Sequence, residues 1–369
     1  MKIPSFSDVQ SHVQRAISSI SSIASQFAAK LQKKDVEESQ NRSVVGLDIG
    51  RAYLNVVQIL KAENKVTLQK YAHHQILPNI PISAQLKNVF QESQITEKRV
   101  RVSLKGQGVI LRFIAFPKMT RAEFESAIQY EAEKYLPFAM SEVVLDFHII
   151  EDEKTTGKMM DVILVAARKQ EVMKIVKTIQ DAELEPESID VDALAFTNTF
   201  AYAMSEAKDK VFALIDFGAK DVNLNIMDRG TLRFSRDITF GGYDITQFLK
   251  RRLQIDDQLA VRVQSGEMLD KTEYAAALRE SFGALIQEIK LSINYFYAQH
   301  SEVDPLAGIY VSGGLAKVEL LKQTISQEVK LPVFEWNPIE LFQIAPEIKK
   351  ENLVKNKLYL PVCIGLALK

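Results

Sequence analysis

Cysteine is nearly absent: Cys363 is the single one in 369 residues. That excludes a disulfide scaffold, a cysteine-rich zinc site and a CxxC redox centre, and it agrees with a reducing, cytosolic setting. Net charge is missing too. Forty-six Lys and Arg stand against 47 Asp and Glu, a formal balance of −1, so nothing draws the chain as a whole to nucleic acid and no such partner is expected. No apolar run approaches the roughly 20 residues that a membrane-spanning helix needs. The N-terminus lacks the compact apolar stretch of a secretory signal. The histidines His12, His73, His74, His148 and His300 show no HExxH spacing, and no G-x-S-x-G elbow occurs, so neither zinc-protease nor serine-hydrolase chemistry is expected. What remains is an ordinary globular composition, 47% hydrophobic, in a chain long enough for two or three domains.

Residues 1–43 differ from the rest. They are rich in Ser and Gln and contain no Gly. Phe6, Val9, Val13, Ile17, Ile20, Ala24, Phe27 and Leu31 recur at steps of three and four, one apolar stripe on a helix. Such a helix can lie on an anionic membrane surface, dock in a partner's groove, pack on its own domain, or remain a tail that orders only weakly. The following Lys33–Ser43 stretch reads as a solvated linker.

The body opens with VVGLDIG (Val44–Gly50), and FALIDFG (Phe212–Gly218) repeats its pattern. Alternating segments follow both, Ala52–Leu60 and Val222–Gly230. Each unit reads as strand, tight glycine turn and returning strand. A pair of them far apart predicts two similar lobes facing a cleft. A turn glycine lets backbone come close to a phosphate, and the Asp before it can hold Mg²⁺ directly or through water. Asp48 and Asp216 would thus flank one set of phosphates. Gly308–Leu321 runs from an apolar strand through Ser312-Gly313-Gly314 into a helical pattern, and Gly241-Gly242 precede another helix. Either Gly pair can equally be a simple turn.

In this order the elements resemble the actin-like ATPase superfamily, which includes actin, FtsA and sugar kinases. GLDIG resembles its first phosphate loop, LIDFG its second, VSGGLAKVELL its adenosine loop, and Ile364–Lys369 its closing small-residue helix. Phe116–Phe138, followed by Val143–Glu153, is similar to the signature of one branch, the PilM family of type IV pilus assembly proteins; Arg236, Gly241-Gly242, Asp244 and Thr246 add to that likeness. The resemblance implies an α/β fold of two ribonuclease-H-like lobes with an inserted α+β subdomain. It places the first lobe at 44–210 with the insert at about 80–168, the second lobe at 211–345, and a return to the first lobe at 346–369. It further implies an ATP site with Mg²⁺, built from Asp48, Gly50, Arg51, Asn55, Asp216, Gly218, Gly241, Gly242, Gln264, Ser312, Gly313 and Gly314, with Asp48 and Asp216 on the metal side.

Several of the family's nucleotide contacts are replaced. Arg51, Ala52, Tyr53 and Asn55 stand where the pattern has small hydroxyl residues and a Lys. Val222 replaces a Thr, and Ala260-Val261 with Gln264 replace an Ala-Glu pair and a Lys. Each lost charged contact is worth about 1.5–3 kcal/mol, so weakened ATP binding and little turnover are expected, with Arg51 as a substitute phosphate contact.

The signature segment can be read by itself. Thr120 and Glu123 form a capping box; the helix then buries Phe124, Ala127, Ile128, Ala132 and Tyr135, and Pro137 ends it. Arg99–Leu104, Val109–Phe116, Val143–Ile150 and Asp161–Ala167 flank it as strands of the insert. The resemblance implies a cytoplasmic scaffold at the inner membrane. It would hold the N-terminal tail of a PilN-like membrane protein between first lobe and insert, with Phe116, Pro117, Tyr135, Pro137 and Phe138 lining the groove or forming the insert's own core. The rival expectations are an active ATPase, a membrane-tethered or self-associating filament former like FtsA, and a GspL-like type II secretion component.

Overall fold

The computed structural model describes residues 42–62, 65–106, 108–150, 158–204, 209–340 and 342–369. The expected N-terminal helix lies outside the described residues. Among these, no helix is long and apolar enough to cross a membrane.

The first apolar run becomes β1 (Arg42–Ile49), buried along most of its length because both faces are covered. It turns into antiparallel β2 (Tyr53–Ala62) and then β3 (Lys65–Gln75). On its other side lie parallel strands β4 (Arg99–Leu104) and β8 (Glu185–Val191). With β14 (Gln343–Ile344), the order is β14-β3-β2-β1-β4-β8. A second sheet contains β9 (Val211–Phe217), β10 (Val222–Asp228), β11 (Thr231–Ile238), β12 (Leu306–Gly313) and β13 (Val333–Glu335), in the order β11-β10-β9-β12-β13. Without β14 the two sheets share one topology: two antiparallel neighbours on one side of the first strand, two parallel ones on the other. The repeat holds in register. Asp48 pairs with Asn55 and Asp216 with Asn223. The Gly50 N–H donates to the Tyr53 carbonyl at 2.9 Å, as the Gly218 N–H donates to Asp221 at 3.1 Å.

The third sheet is antiparallel: β5 (Val109–Pro117), β7 (Met159–Arg168) and β6 (Val143–Ile150), with β7 in the middle. The helix Arg121–Glu131 closes it by burying Phe124 and Ile128. Its capping box is present. The Thr120 hydroxyl accepts from the Glu123 N–H at 3.3 Å, and the Glu123 carboxylate accepts from the Thr120 N–H at 2.8 Å. Thr120→Ala should therefore cost about 1 kcal/mol, seen as faster amide exchange over this helix; unchanged exchange would show that the cap adds nothing. The helix ends earlier than Pro137 would impose, because the chain tightens into a 3₁₀ turn at Ala132–Lys134.

Two expected boundaries move. Arg99–Leu104 pairs with β1 and β8, so it belongs to the six-stranded sheet and the insert's sheet begins at Val109. The return to the first lobe begins before residue 346: β14 already pairs with β3, and Ile339 and Phe342 are buried in the same cluster as Val44 and Leu68. The closing helix Pro361–Leu368 packs against β1 and the helix Asp192–Ala203. Cys363 is buried there as core.

Candidate functional site

The turns after β1, β9 and β12 line one cleft of about 600 Å³, in the range of small-molecule sites. The two hairpin turns need glycine because a Cβ would lie 2.7 Å from the Tyr53 carbonyl at Gly50 and 2.5 Å from that of Asp221 at Gly218. Both glycine N–H groups close their own turns, so they are not the free donors there. The N–H groups of Arg51, Ala52, Ala219 and Lys220 form no hydrogen bond among the described residues, and all four residues line the cleft.

Lys105, directly after β4, reaches into the cleft. Its Nζ lies 2.9 Å from Asp48 Oδ1 and 2.8 Å from Asp192 Oδ2. Asp192 opens the helix Asp192–Ala203, where the helix dipole favours a carboxylate. The other oxygen of Asp48 accepts from Asn55 Nδ2 at 2.9 Å, and Asn55 Oδ1 faces His73 Nδ1 at 2.8 Å. Burial works against the Lys105 ammonium, but Asp192 and Asp48 outweigh it and raise its pKa above the ordinary value. Burial raises Asp192 and pushes Asp216 up to about 7, with Asp48 and Asp192 adding repulsion to the latter. His73 is pushed down to about 4 by burial and by Lys317, so it is a neutral imidazole at pH 7. Its ring packs against both Tyr53 and Tyr359, with centroids 4.3 and 4.2 Å away, and the two tyrosines also touch at 5.2 Å.

Ten of the twelve expected nucleotide-site residues line this cleft: Asp48, Gly50, Arg51, Asn55, Asp216, Gly218, Gly242, Gln264, Gly313 and Gly314. Two do not. Ser312 is fully buried and its hydroxyl donates to the Leu358 carbonyl at 2.7 Å. Gly241 is the close contact between a helix start and the second turn, where a Cβ would lie 2.6 Å from Lys220 backbone. Gln264 is engaged within its own wall: Nε2 donates to the Gly242 carbonyl at 2.7 Å and Oε1 accepts from Thr246 at 2.9 Å. Asn55 is the cross-strand partner of Asp48, and its amide is engaged by Asp48 and His73. Lys105, Asp192, His73 and Tyr359 were not apparent from sequence. No local pattern marks Lys105, whose partner Asp48 is 57 positions away.

Of the two carboxylates expected to face Mg²⁺, Asp216 lines the cleft with no hydrogen bond or ion pair among the described residues, so it could hold the ion directly or through water, while Asp48 is engaged. Both Asp48 oxygens already accept, and an ammonium sits between Asp48 and Asp192. Among the described residues no group of three or more His, Cys, Asp or Glu is placed to hold a metal.

Residues 46–369 match the family described as the type IV pilus assembly protein PilM. The chain belongs to the PilM family. The solved PilM–PilN type IV pilus biogenesis complex is 27% identical, with a TM-score of 0.78 over 88% of this chain and 97% of that one. The fold is that of the actin-like ATPases. More distant likenesses are the ethanolamine utilization protein EutJ from Carboxydothermus hydrogenoformans (12% identity, TM-score 0.49, 95% and 98% of the two chains) and MreB5 of Spiroplasma citri bound to ADP (12%, 0.47, 89% and 95%).

In this PilM-family chain the five residues expected at the partner groove divide. Phe116 is only 8% exposed and meets Phe124 edge-on at 5.0 Å, so it is core of the insert and not groove lining. Tyr135 and Phe138 are half-buried on that core, while Pro117 and Pro137 are exposed. The Arg168 guanidinium lies 4.2 Å over the Phe138 ring. At the boundary of insert and first lobe, β6 carries Asp146 and β8 carries Asp190, which pairs with Lys369. Both strands are sheet edges.

Proposed function

We propose that this PilM-family chain is a cytoplasmic scaffold of the type IV pilus inner-membrane platform. It holds the short N-terminal tail of a PilN-like membrane protein between the first lobe and the insert, and its interlobe cleft binds ATP weakly without efficient turnover. The observation that carries the reading is the likeness to the PilM–PilN complex over nearly the whole of that chain. Two further features support it. Edges at β6 and β8, unpaired among the described residues, can take an extended peptide through main-chain hydrogen bonds, and exposed Pro117 and Pro137 with half-buried Tyr135 and Phe138 offer it an apolar wall. The eroded nucleotide contacts and the engaged Gln264 favour a site that senses or merely stores nucleotide over an enzyme.

The test is titration of a PilN-like N-terminal peptide into the purified chain. A dissociation constant of about 1–10 µM is expected, weakened about tenfold by Phe138→Ala, a half-buried aromatic anchor. No binding, with or without ATP, would overturn the partner.

A further inference from the structure

We propose that each lobe carries the same polar ladder across its hairpin, and that its third member, His73 in the first lobe and Asp237 in the second, decides which turn carboxylate is left for a divalent cation: Asp48 is capped, and the cation of a bound nucleoside triphosphate falls to Asp216. The proposal rests on the nucleotide reading above and adds how the two lobes divide the work.

Strand register sets the ladders. Asp48 lies opposite Asn55, and Asn55 opposite His73, across β1, β2 and β3. Asp216 lies opposite Asn223, and Asn223 opposite Asp237, across β9, β10 and β11. Directly opposed residues share one face of a sheet, and Asp48, Asn55, Asp216, Asn223 and Asp237 all line the cleft. The first two members are the same in both lobes; the third is not.

An asparagine amide donates from its nitrogen and accepts at its oxygen, whereas an ionised carboxylate only accepts. The sense of the amide therefore follows from its neighbours. In the first lobe Asn55 turns Nδ2 to Asp48 at 2.9 Å and Oδ1 to His73 Nδ1 at 2.8 Å. Neutral His73 must then carry its proton on Nδ1. In the second lobe Asn223 stands between two carboxylates and its nitrogen can serve one of them. It donates to Asp237 Oδ1 at 2.7 Å, and Asn225 donates to its oxygen, which fixes the same sense. Asp216 is left with no hydrogen bond or ion pair among the described residues.

Charge gives that vacancy a use. One Lys105 ammonium stands against Asp48, Asp192 and Asp216, so this end of the cleft is net negative. An anionic triphosphate entering here gains by bringing a cation. Mg²⁺ keeps several waters and needs only one or two carboxylates beside its phosphates, which an unengaged Asp216 supplies.

The experiment is calorimetric titration of ATP into the full chain, in excess Mg²⁺ and again in EDTA; the ratio of the two affinities is the gain due to the ion. In wild type it should be about tenfold or more. Asp237→His builds the first-lobe ladder into the second, turns the Asn223 amide to Asp216, and should cut the gain to about threefold or less. Loss of the Asp237 charge could weaken the ion through space as well. The double variant Asn223→Ala, Asp237→His separates the two causes: it lacks the same charge but has no amide to cap Asp216, and should regain about tenfold. A general loss of structure cannot produce that recovery. Melting midpoints confirm that each variant is folded. If Asp237→His does not fold, two measurements still decide the matter: Asp216→Asn should lose the gain, and the imidazole nitrogen shifts of wild-type His73 should report the proton on Nδ1. Asp237→His that keeps the gain, a double variant that does not regain it, or a proton on Nε2 of His73 overturns the ladder. ATP binding with a wild-type gain below about threefold, or Asp216→Asn that keeps the gain, overturns this proposal alone. No binding in either buffer overturns the nucleotide reading and this proposal together.

Discussion

Gly365→Val should lower the stability of the chain by about 3 kcal/mol or more, at the severe end for overpacking. The helix Pro361–Leu368 lies against β1 on one side and the helix Asp192–Ala203 on the other. A Cβ at Gly365 would come 1.7 Å from the Ala195 carbonyl oxygen, and one at Gly46 would come 1.9 Å from that of Cys363. Both obstacles are backbone, so neither can rotate aside as a long side chain would. The helix must move out instead. That withdraws Val362 and Leu366 from one buried cluster and Cys363, Ile364 and Ala367 from another. It also strains the link to the cleft, since the Leu358 carbonyl just upstream holds the Ser312 hydroxyl below the Gly313-Gly314 turn. Urea unfolding measures the loss. A midpoint within error of wild type would mean that the helix does not pack as described. Val354→Ala, at an exposed site, is the control and should stay within about 0.5 kcal/mol.

The second large effect is a pH dependence at the insert boundary. Asp146 is buried, and burial pushes its carboxyl up to about 7 from an ordinary value of 3.8. Its Oδ1 accepts from the neighbouring Phe147 N–H at 2.8 Å; Arg121 and Lys369 oppose the rise, and Asp190 adds to it. Between pH 4 and 7 the folded chain therefore holds a proton that the unfolded chain has released. Stability attributable to this group is full below about pH 4, falls as pH rises towards 7, and is level above. Asp146→Asn keeps the acceptor and removes the charge. It should be more stable than wild type by about 2 kcal/mol at pH 8, once the nearby cations are allowed for, and the gap should close by pH 4. Paired unfolding curves at the two pH values test this. A gap of the same size at both would rule out titration of Asp146 as the cause. The effect would be felt where the proposed tail groove runs, since the charge of Asp190 acts on Asp146 across that boundary.

Features written in short stretches of chain were legible without a structure. The repeated hairpins follow from an apolar run, a carboxylate, a glycine and an alternating return, all within about 17 residues of chain. The capping box at Thr120 needs only four residues. Other features were not legible. Arg99–Leu104 alternates like any strand, yet nothing in its six residues says whether it joins the insert or slides between β1 and β8; that depends on partners contributed from far along the chain. Phe116 beside Pro117 looks like a docking surface until Phe124 is seen covering it. The family resemblance implies Gln264 and Ser312 as ligand contacts. Their hydrogen bonds are instead internal.

The sequence by itself therefore determined the local grammar of this protein: two equivalent hairpins with a carboxylate at each turn, a capped helix in an insert, a small-residue closing helix, and through their order the PilM family. Tertiary structure alone decided which charges meet. Lys105 acquires its meaning because β4 is packed beside β1 and the helix Asp192–Ala203 starts next to it, which sets an ammonium between two aspartates distant in sequence. Hydrogen-bonding pattern and side-chain period act over a few residues and can be read along the chain. The electrostatics of a cleft act through space, and only the fold says what is near.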